Sequence, residues 1–399
     1  MKHTSHKSAL FKMSLLSISL AIMLAPAISP ALPLMHFNGV SQSQIDTLCT
    51  IPNLMKIVGI LVSPLLIKLI GQKKTIITGL LGVSLLGIIP LFSNSYLVIL
   101  ISRLAVGFAF GLFMALATGL IVQIYREDKN TMAHMMGYQN TIQTLGSALG
   151  SFVVGFLVTL GWHQAFLVYL IPIPLVVIFG LFVNDIDTPQ VSKDSNKPKT
   201  KFKFTGEVWL IIFFMLFTLI LYMPTNFTLP RLIISAHMGS ARTAANITGI
   251  LRLFTMVTAA LFGFLMKHIG DKVFPIGFII QFIAYYLITI STNIPFLLFS
   301  LLLLGIGNSL VLPYIYNWMG LVTNKETSTT GQSVLMIALN IGTVISPTFV
   351  NGINSMMGTQ SPRNIMMICA IGNVILAIAA IIRYVSHHKA HLHHQVPAR

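Results

Sequence analysis

The chain has 399 residues, of which 55% are apolar or aromatic and 9% are charged, with a formal net charge of +16. An ordinary soluble domain carries about 25% charged residues, so this composition excludes a water-dressed globule and leaves lipid as the solvent. The basic residues sit in short gaps between apolar runs with no aromatic-basic face, which excludes nucleic acid as their partner. Cys49 and Cys369 lie in apolar surroundings and fit neither a disulfide framework nor a zinc site, so both are expected to pack as thiols.

Runs long enough to cross a bilayer, about 20 residues each, recur along the chain. They are expected at 13–35, 45–67, 75–92, 96–124, 135–160, 165–184, 208–232, 243–266, 273–291, 295–322, 331–356 and 364–384. Each must be helical, because lipid offers no partner for backbone N–H and C=O groups. Residues 1–30 imitate a secretory leader, with Lys2, Lys7 and Lys12 before an apolar core and small residues at Ala25-Pro26-Ala27. The apolar run continues to Leu34, which suits an uncleaved first span. Prolines 26, 30, 33, 224 and 230 are expected to kink the first and seventh spans. The segment 185–207 holds five Lys and two Pro and reads as a solvated linker. The last stretch, His387 to His394, places His387 and His391 one helical turn apart but offers no Cys or carboxylate, so it is read as a solvated tail and not as a metal site.

Lys and Arg placement sets the orientation. With both termini cytoplasmic, 19 basic residues fall on the inner side, against Arg231, Arg242 and Arg363 on the outer side. A repeat runs through this pattern. Leu66 to Lys73 reads LIKLIGQK, and 199 residues later Leu265 to Lys272 reads LMKHIGDK. Leu32-Pro33 matches Leu229-Pro230 at an offset of 197, Gly107 matches Gly305 at 198, and Gly146 and Gly155 match Gly342 and Gly352 at 196 and 197. The expected fold is therefore an all-α membrane protein of about twelve transmembrane helices in two parallel six-helix halves. They are assigned to 1–184 and 208–384, with the linker at 185–207 and the His-rich tail at 385–399. Parallel halves of this kind build transporters that rock around a central site. Lys68, Gly71 and Lys73, and Lys267, Gly270 and Lys272, are the expected gating loops and hinges. Gly allows the tight turn, and Lys68 and Lys267 favour the C-terminal ends of their helices.

These residues resemble the major facilitator superfamily along essentially the whole chain. The family's loop between spans 2 and 3 is similar to Gly-x-x-x-Asp-Arg-x-Gly-Arg-Lys. Here the stretch PLLIKLIGQK keeps Gly71 and Lys73 and departs at Pro64, Lys68, Leu69 and Gln72, while GFLMKHIGDK keeps Gly263, Gly270 and Lys272. Arg103-Leu-Ala-Val-Gly107 resembles the family's Arg-x-x-x-Gly in span 4, where the resemblance implies proton coupling in drug-efflux members. GSALG at Gly146 to Gly150, followed by Ser151 and Gly155, resembles the Gly-rich antiporter motif, and Gly161-Trp162-His163-Gln164-Ala165-Phe166 resembles the Gly-Trp-Arg-x-x-Phe entry to span 6 with His in place of Arg. The whole looks like a bacterial drug-efflux-type member in the cell membrane.

An ionisable residue within a span costs about 2.5–3.5 kcal/mol on insertion scales, so Lys56, Arg103 and Arg252 are the first candidates for substrate binding or coupling. Gln139, Gln143, Asn226, Asn308, Asn317 and Asn340 are the second, able to line a cavity or to bond between helices. All nine acidic residues sit in loops or near membrane faces, Asp46 at the outer start of span 2. Buried cations without a deep counter-ion favour an anionic or acceptor-rich substrate. No Gly-x-x-x-x-Gly-Lys-Ser/Thr loop is present, so ATP is not the direct energy source. The expected function is secondary active transport, proton-coupled efflux of a small drug or metabolite, with uptake or exchange of an organic anion as the alternative. No paired carboxylates or activated nucleophile suggest an enzyme. A monomer is expected, with a small-molecule substrate, protons and the bilayer as its partners and no cofactor or metal.

Overall fold

The computed structural model describes residues 9–22, 24–125, 128–183, 204–259, 262–323 and 328–394. The described residues are helical, without strands. The α-helices are α1 (Ala9–Ile22), α2 (Gln42–Thr50), α3 (Pro52–Ile70), α4 (Gln72–Gly87), α5 (Tyr96–Ile124), α6 (Lys129–Leu157), α7 (Pro172–Phe182) and α8 (Gly206–Tyr222). They continue with α9 (Pro224–Ser235), α10 (Ala241–Ala259), α11 (Phe262–Ile269), α12 (Val273–Ile290), α13 (Ile294–Val322), α14 (Ser328–Met356) and α15 (Pro362–His394). Local chemistry explains several starts. Ser41 and Gln44 form a capping box on α2, and Asp128, Thr205 and Asn293 each accept a backbone N–H at the starts of α6, α8 and α13.

Ten stretches among the described residues are long and apolar enough to cross a membrane. Two of the twelve expected runs, 13–35 and 243–266, do not stand out as single long helices. In the first, α1 gives way to a 3₁₀ segment, Ala25–Leu34, with Pro30 and Pro33 inside it. Each proline removes an amide donor and crowds the preceding turn, so a regular α-helix cannot continue. In the second, α10 opens on a polar stretch and is described as far as Ala259, and the apolar α11 joins α12 through the turn Gly270–Lys272. The linker 185–207 lies mostly outside the described residues, and the side chains of the His-rich tail beyond Ser386 lie outside them as well.

Contacts divide the chain into two compact units. One comprises residues 1–198 with Leu229–Ile250, the other Lys199–Thr228 with residues 251–399. In the first, α3 packs on α5, α4 on α5, and α1 on α6. In the second, α12 packs on α13 and α15, and α14 on α8. Apolar side chains such as Leu61, Leu181 and Leu321 remain over 70% exposed on helices with no polar cover, as a surface in lipid requires. Neither cysteine forms a disulfide among the described residues, and both are buried.

The two units repeat packing contacts at nearly one offset. A Cβ on Gly146 would meet the carbonyl of Leu20 at 2.9 Å, and one on Gly342 would meet that of Leu216 at 2.6 Å. A Cβ on Gly79 would press on Phe113 and the Ala109 carbonyl, and one on Gly277 on Val311 and the Gly307 carbonyl. Every residue in the second set lies 196 or 198 beyond its counterpart in the first. The helix breaks match too. α1 ends just before Leu24 and α8 just after Leu221, 197 residues apart. The Leu24 carbonyl accepts from the Tyr169 hydroxyl at 3.5 Å, and the Leu221 carbonyl from the Tyr285 hydroxyl at 2.8 Å. Backbone oxygens freed by a broken helix in an apolar interior need such donors.

Candidate functional site

In the first unit, Arg103 is fully buried on α5. Its Nε donates to the Leu48 carbonyl at 3.0 Å, its Nη1 donates to the Tyr169 hydroxyl, and its guanidinium lies 5.4 Å from the Tyr169 ring centre. With Tyr169 reaching the Leu24 carbonyl, the guanidinium becomes a knot joining α5, α2, the segment before α7 and the break after α1. This geometry serves packing directly. Tyr169→Phe removes one acceptor from a buried, charged donor, so it is expected to destabilise the protein by about 1–3 kcal/mol. Thermal unfolding of the purified variant in detergent measures the loss, and an unchanged midpoint would reject the knot.

Lys56 is on α3, where its Nζ donates to the Asn53 Oδ1 at 2.6 Å. Gln139 is buried and Gln143 half-buried on α6.

In the second unit, Arg252 is half-buried on α10 and interacts electrostatically with Tyr222, at the break between α8 and α9. Thr225 donates to the Tyr222 carbonyl at 2.6 Å and Thr255 to the Leu251 carbonyl at 2.9 Å, and both side chains lie near the Tyr222 hydroxyl. A second polar layer adjoins it: Ser309 on α13 donates to the Thr255 carbonyl at 3.2 Å and shares a 2.8 Å contact with Thr258. Asn308, next to Ser309, is buried with its Oδ1 unpartnered among the described residues. Asn340 is likewise buried on α14; its amide donates to the Met336 carbonyl at 2.7 Å, and its Oδ1 has no partner among the described residues. Asn226 is half-buried and reaches the Met223 sulfur at 3.8 Å, and Asn317 is exposed on α13. The cluster thus gathers Arg252 with residues that sequence reading did not select: Tyr222, Thr225 and Thr255. For Tyr222 and Thr225 the signal available was their position beside Pro224, where a helix break frees polar backbone; Thr255, on α10, carried no such signal.

The repeated octapeptides are turns. Gly71 has φ +87° and Gly270 φ +56°, values that L side chains rarely adopt. Lys68 and Lys267 occupy the last turns of α3 and α11 and are exposed. Each loop is tied to a later helix of its own unit by a different device. Lys73 donates to the Gly180 carbonyl near the end of α7 at 2.9 Å. In the second loop Lys272 is exposed, and Asp271 instead accepts from the Tyr314 hydroxyl at 2.9 Å, which accepts in turn from Arg383 on α15 at 2.9 Å. Arg383 also lies 3.3 Å from the Trp318 ring centre and 4.0 Å from Glu207, and Trp318 donates to Glu207 at 2.8 Å.

At the opposite, lysine-poor end of the first unit, Asp46 is fully buried and pairs with Arg231 of α9 at 3.6 Å. Gln42 donates to its other oxygen at 3.0 Å. The sequence placed Asp46 at a membrane face; its complete burial comes from packing, which periodicity does not report. Nearby, Tyr96 donates to the Gln44 carbonyl at 3.3 Å, and Phe37 packs edge-on against Tyr96 and Trp162. His163 stacks on Trp162 and hydrogen-bonds Asn94 at 2.8 Å.

A family model described as Major Facilitator Superfamily matches residues 14–273 and 233–398. No curated protein matches significantly. Solved structures share the fold. A mutant of the nucleoside transporter NupG is similar at a TM-score of 0.77 and 12% identity, covering 93% of this chain and 99% of that one. A peptide transporter of the POT family, in complex with a thioalcohol-conjugated peptide, aligns at 0.76 and 12%, covering 94% and 96%. A bacterial homologue of the human lysosomal transporter Spinster, inward-facing and unoccupied, aligns at 0.73 and 15%, covering 94% and 97%. With a multi-pass helical body and a family match spanning nearly the whole chain, the protein is a membrane transporter and not an enzyme; it belongs to the major facilitator superfamily.

Proposed function

We propose that this protein is a proton-coupled secondary transporter that exports a small organic molecule, a drug or metabolite, by alternating access. It works as a monomer in the cell membrane of a bacterium, with twelve spans in two like-oriented six-helix halves and both termini cytoplasmic. The basic loops mark the cytoplasmic side. The contacts repeated at offsets of 196 to 198 support the two halves. The single observation that carries the site is the cluster of Arg252, Tyr222, Thr225 and Thr255 at the α8–α9 break. A cation and three hydroxyls set against a break in a membrane helix can bind a polar solute and be re-satisfied when it leaves. Lys56 supplies a second cation in the first unit, and Gln139, Gln143, Asn226, Asn308, Asn317 and Asn340 are secondary contacts. The octapeptide loops, with Lys68, Gly71, Lys73, Lys267, Gly270 and Lys272, form the cytoplasmic hinges.

A second reading, uptake or exchange of an organic anion, is favoured by charge. Lys56 and Arg252 lie within spans, whereas the buried carboxylate Asp46 already faces Arg231. Reconstitution in proteoliposomes under an imposed proton gradient, with a panel of anionic and cationic compounds, separates the two. Outward movement driven by inward protons supports efflux. Accumulation of cations alone overturns the role of Lys56 and Arg252 as solute contacts, and the absence of any gradient-driven flux overturns proton coupling.

A further inference from the structure

We infer that Asp46 is a proton-binding site that controls a latch at the lysine-poor end of the protein, with Arg231 as the partner it releases. The inference deepens the proposed transport function and rests on it for its physiological meaning. Three observations carry it. First, among the described residues Asp46 is the carboxylate that the fold buries completely, where Glu207 and Asp271 stay accessible. Second, its ion-pair partner lies 185 residues away in the sequence, on a segment with an unusual position. Leu229–Ile250 packs with the first unit, while the chain on either side of it belongs to the second. Third, the pair is incompletely satisfied: Nε and Nη2 of Arg231 are buried and have no hydrogen-bond partner among the described residues.

The same segment meets the first unit along a glycine seam. A Cβ on Gly155 would strike that of Ala245 at 2.8 Å, and one on Gly249 would strike the Phe152 ring at 2.8 Å. Glycine contacts hold by shape and part without leaving a polar group orphaned. The charge pair is therefore the component of this junction whose strength depends on a proton. When a water-borne proton forms an O–H bond on Asp46, the pair goes from neutral to a charge of +1, and Arg231, which cannot give up its own proton, loses its counter-ion. Protonation thus favours release of the segment, and by reciprocity the released form favours the proton. Other charged or titratable groups are Cys49 on α2, Lys56 and Lys68 on α3, Tyr96 and Arg103 on α5, His36 just before the helix, and the exposed His237 and Arg242 on the held segment itself, whose response D46N would leave in place. Arg103 is engaged with Leu48 and Tyr169 and Lys56 with Asn53, whereas Arg231 comes from the segment that the latch holds.

The test needs no substrate. Spin labels placed at Thr159→Cys and Ser235→Cys, both exposed, report the distance across the junction in the full chain in lipid nanodiscs; Cys49 and Cys369 are buried and stay in place. Lowering the pH from mildly alkaline to mildly acidic should shift the distance distribution towards longer values. D46N, which keeps the shape and cannot be charged, should show the long distances at every pH. A distribution that ignores pH, or a D46N protein that responds as the parent does, overturns the inference. Should D46N fold poorly, the doubly neutral D46N/R231Q protein takes its place: it should hold one distance distribution at every pH, and a pH response like the parent's overturns the inference. A pH-driven opening lost in D46N, in a protein that moves no compound of the panel, would keep the latch and sink the proposed transport instead.

Discussion

Gly111→Ala is expected to destabilise the protein by about 1–3 kcal/mol, the range for overpacking a tight contact, and to lower its yield from membranes. A Cβ at this position would fall against the carbonyl oxygen of Lys56 and lie 2.7 Å from the Cα of Gly59. Gly59 in turn would strike the Phe108 carbonyl, and Gly107 the Pro52 carbonyl. Along this seam α3 and α5 touch backbone to backbone, and backbone cannot swing aside as a side chain can. Lipid tails are as apolar as Leu, so helices in a membrane associate through such close approach. Gly119→Ala and Gly137→Ala are the controls, because both positions open on empty space. There the better helix propensity of Ala should stabilise by up to about 1 kcal/mol. Thermal unfolding of the three variants in one detergent decides the matter. Equal midpoints for Gly111→Ala and the parent would show that the seam is loose.

The seam also shows what the sequence could and could not display. Spans are legible because lipid forces every apolar run into a helix, and the exposed Leu61 and Leu181 mark the same demand in the structure. The repeat is legible as letters at a fixed offset. Its energetics are not. Gly107 and Gly305 match at 198, yet a Cβ on Gly305 would sit at an ordinary 3.4 Å from the Thr255 hydroxyl, whereas on Gly107 it would run into backbone. Gly155 presses on Ala245, while its counterpart Gly352 opens on nothing. Hydropathy also missed the break after α1, since three prolines keep a run apolar while they end its α-helix. The same limit applies to charged residues. A window average sees Asp46 and Arg231 as polar ends of two spans 185 residues apart, and only the tertiary fold pairs them. Arg103 reads from sequence as a coupling residue; in the structure its donors go to a backbone carbonyl and a tyrosine.

That contrast sets up the second large effect. Lys56→Gln and Arg252→Gln are each expected to cut the transport of an anionic substrate by about tenfold to a hundredfold while leaving expression and thermal stability near the parent's. A charge-assisted hydrogen bond is worth roughly 1.5–3 kcal/mol, and about 1.4 kcal/mol is tenfold. The reason to expect stability to survive lies in the partners. Lys56 donates to a side chain on its own helix, three residues away, so Gln can replace it without orphaning a buried carbonyl. Arg252 is half-buried beside Tyr222, and the neighbouring Thr225 and Thr255 hydroxyls keep their backbone carbonyl acceptors when the charge is gone. Arg103→Gln is the counter-case, since it would strand the Leu48 carbonyl and the Tyr169 hydroxyl in a fully buried place and should lower yield before flux can be measured. Initial rates in proteoliposomes, normalised to reconstituted protein, separate the two behaviours. Normal flux in both Gln variants removes Lys56 and Arg252 from the binding site. Lost flux with lost stability instead makes them helix-packing residues, and only lost flux with intact folding ties the two cations to the solute.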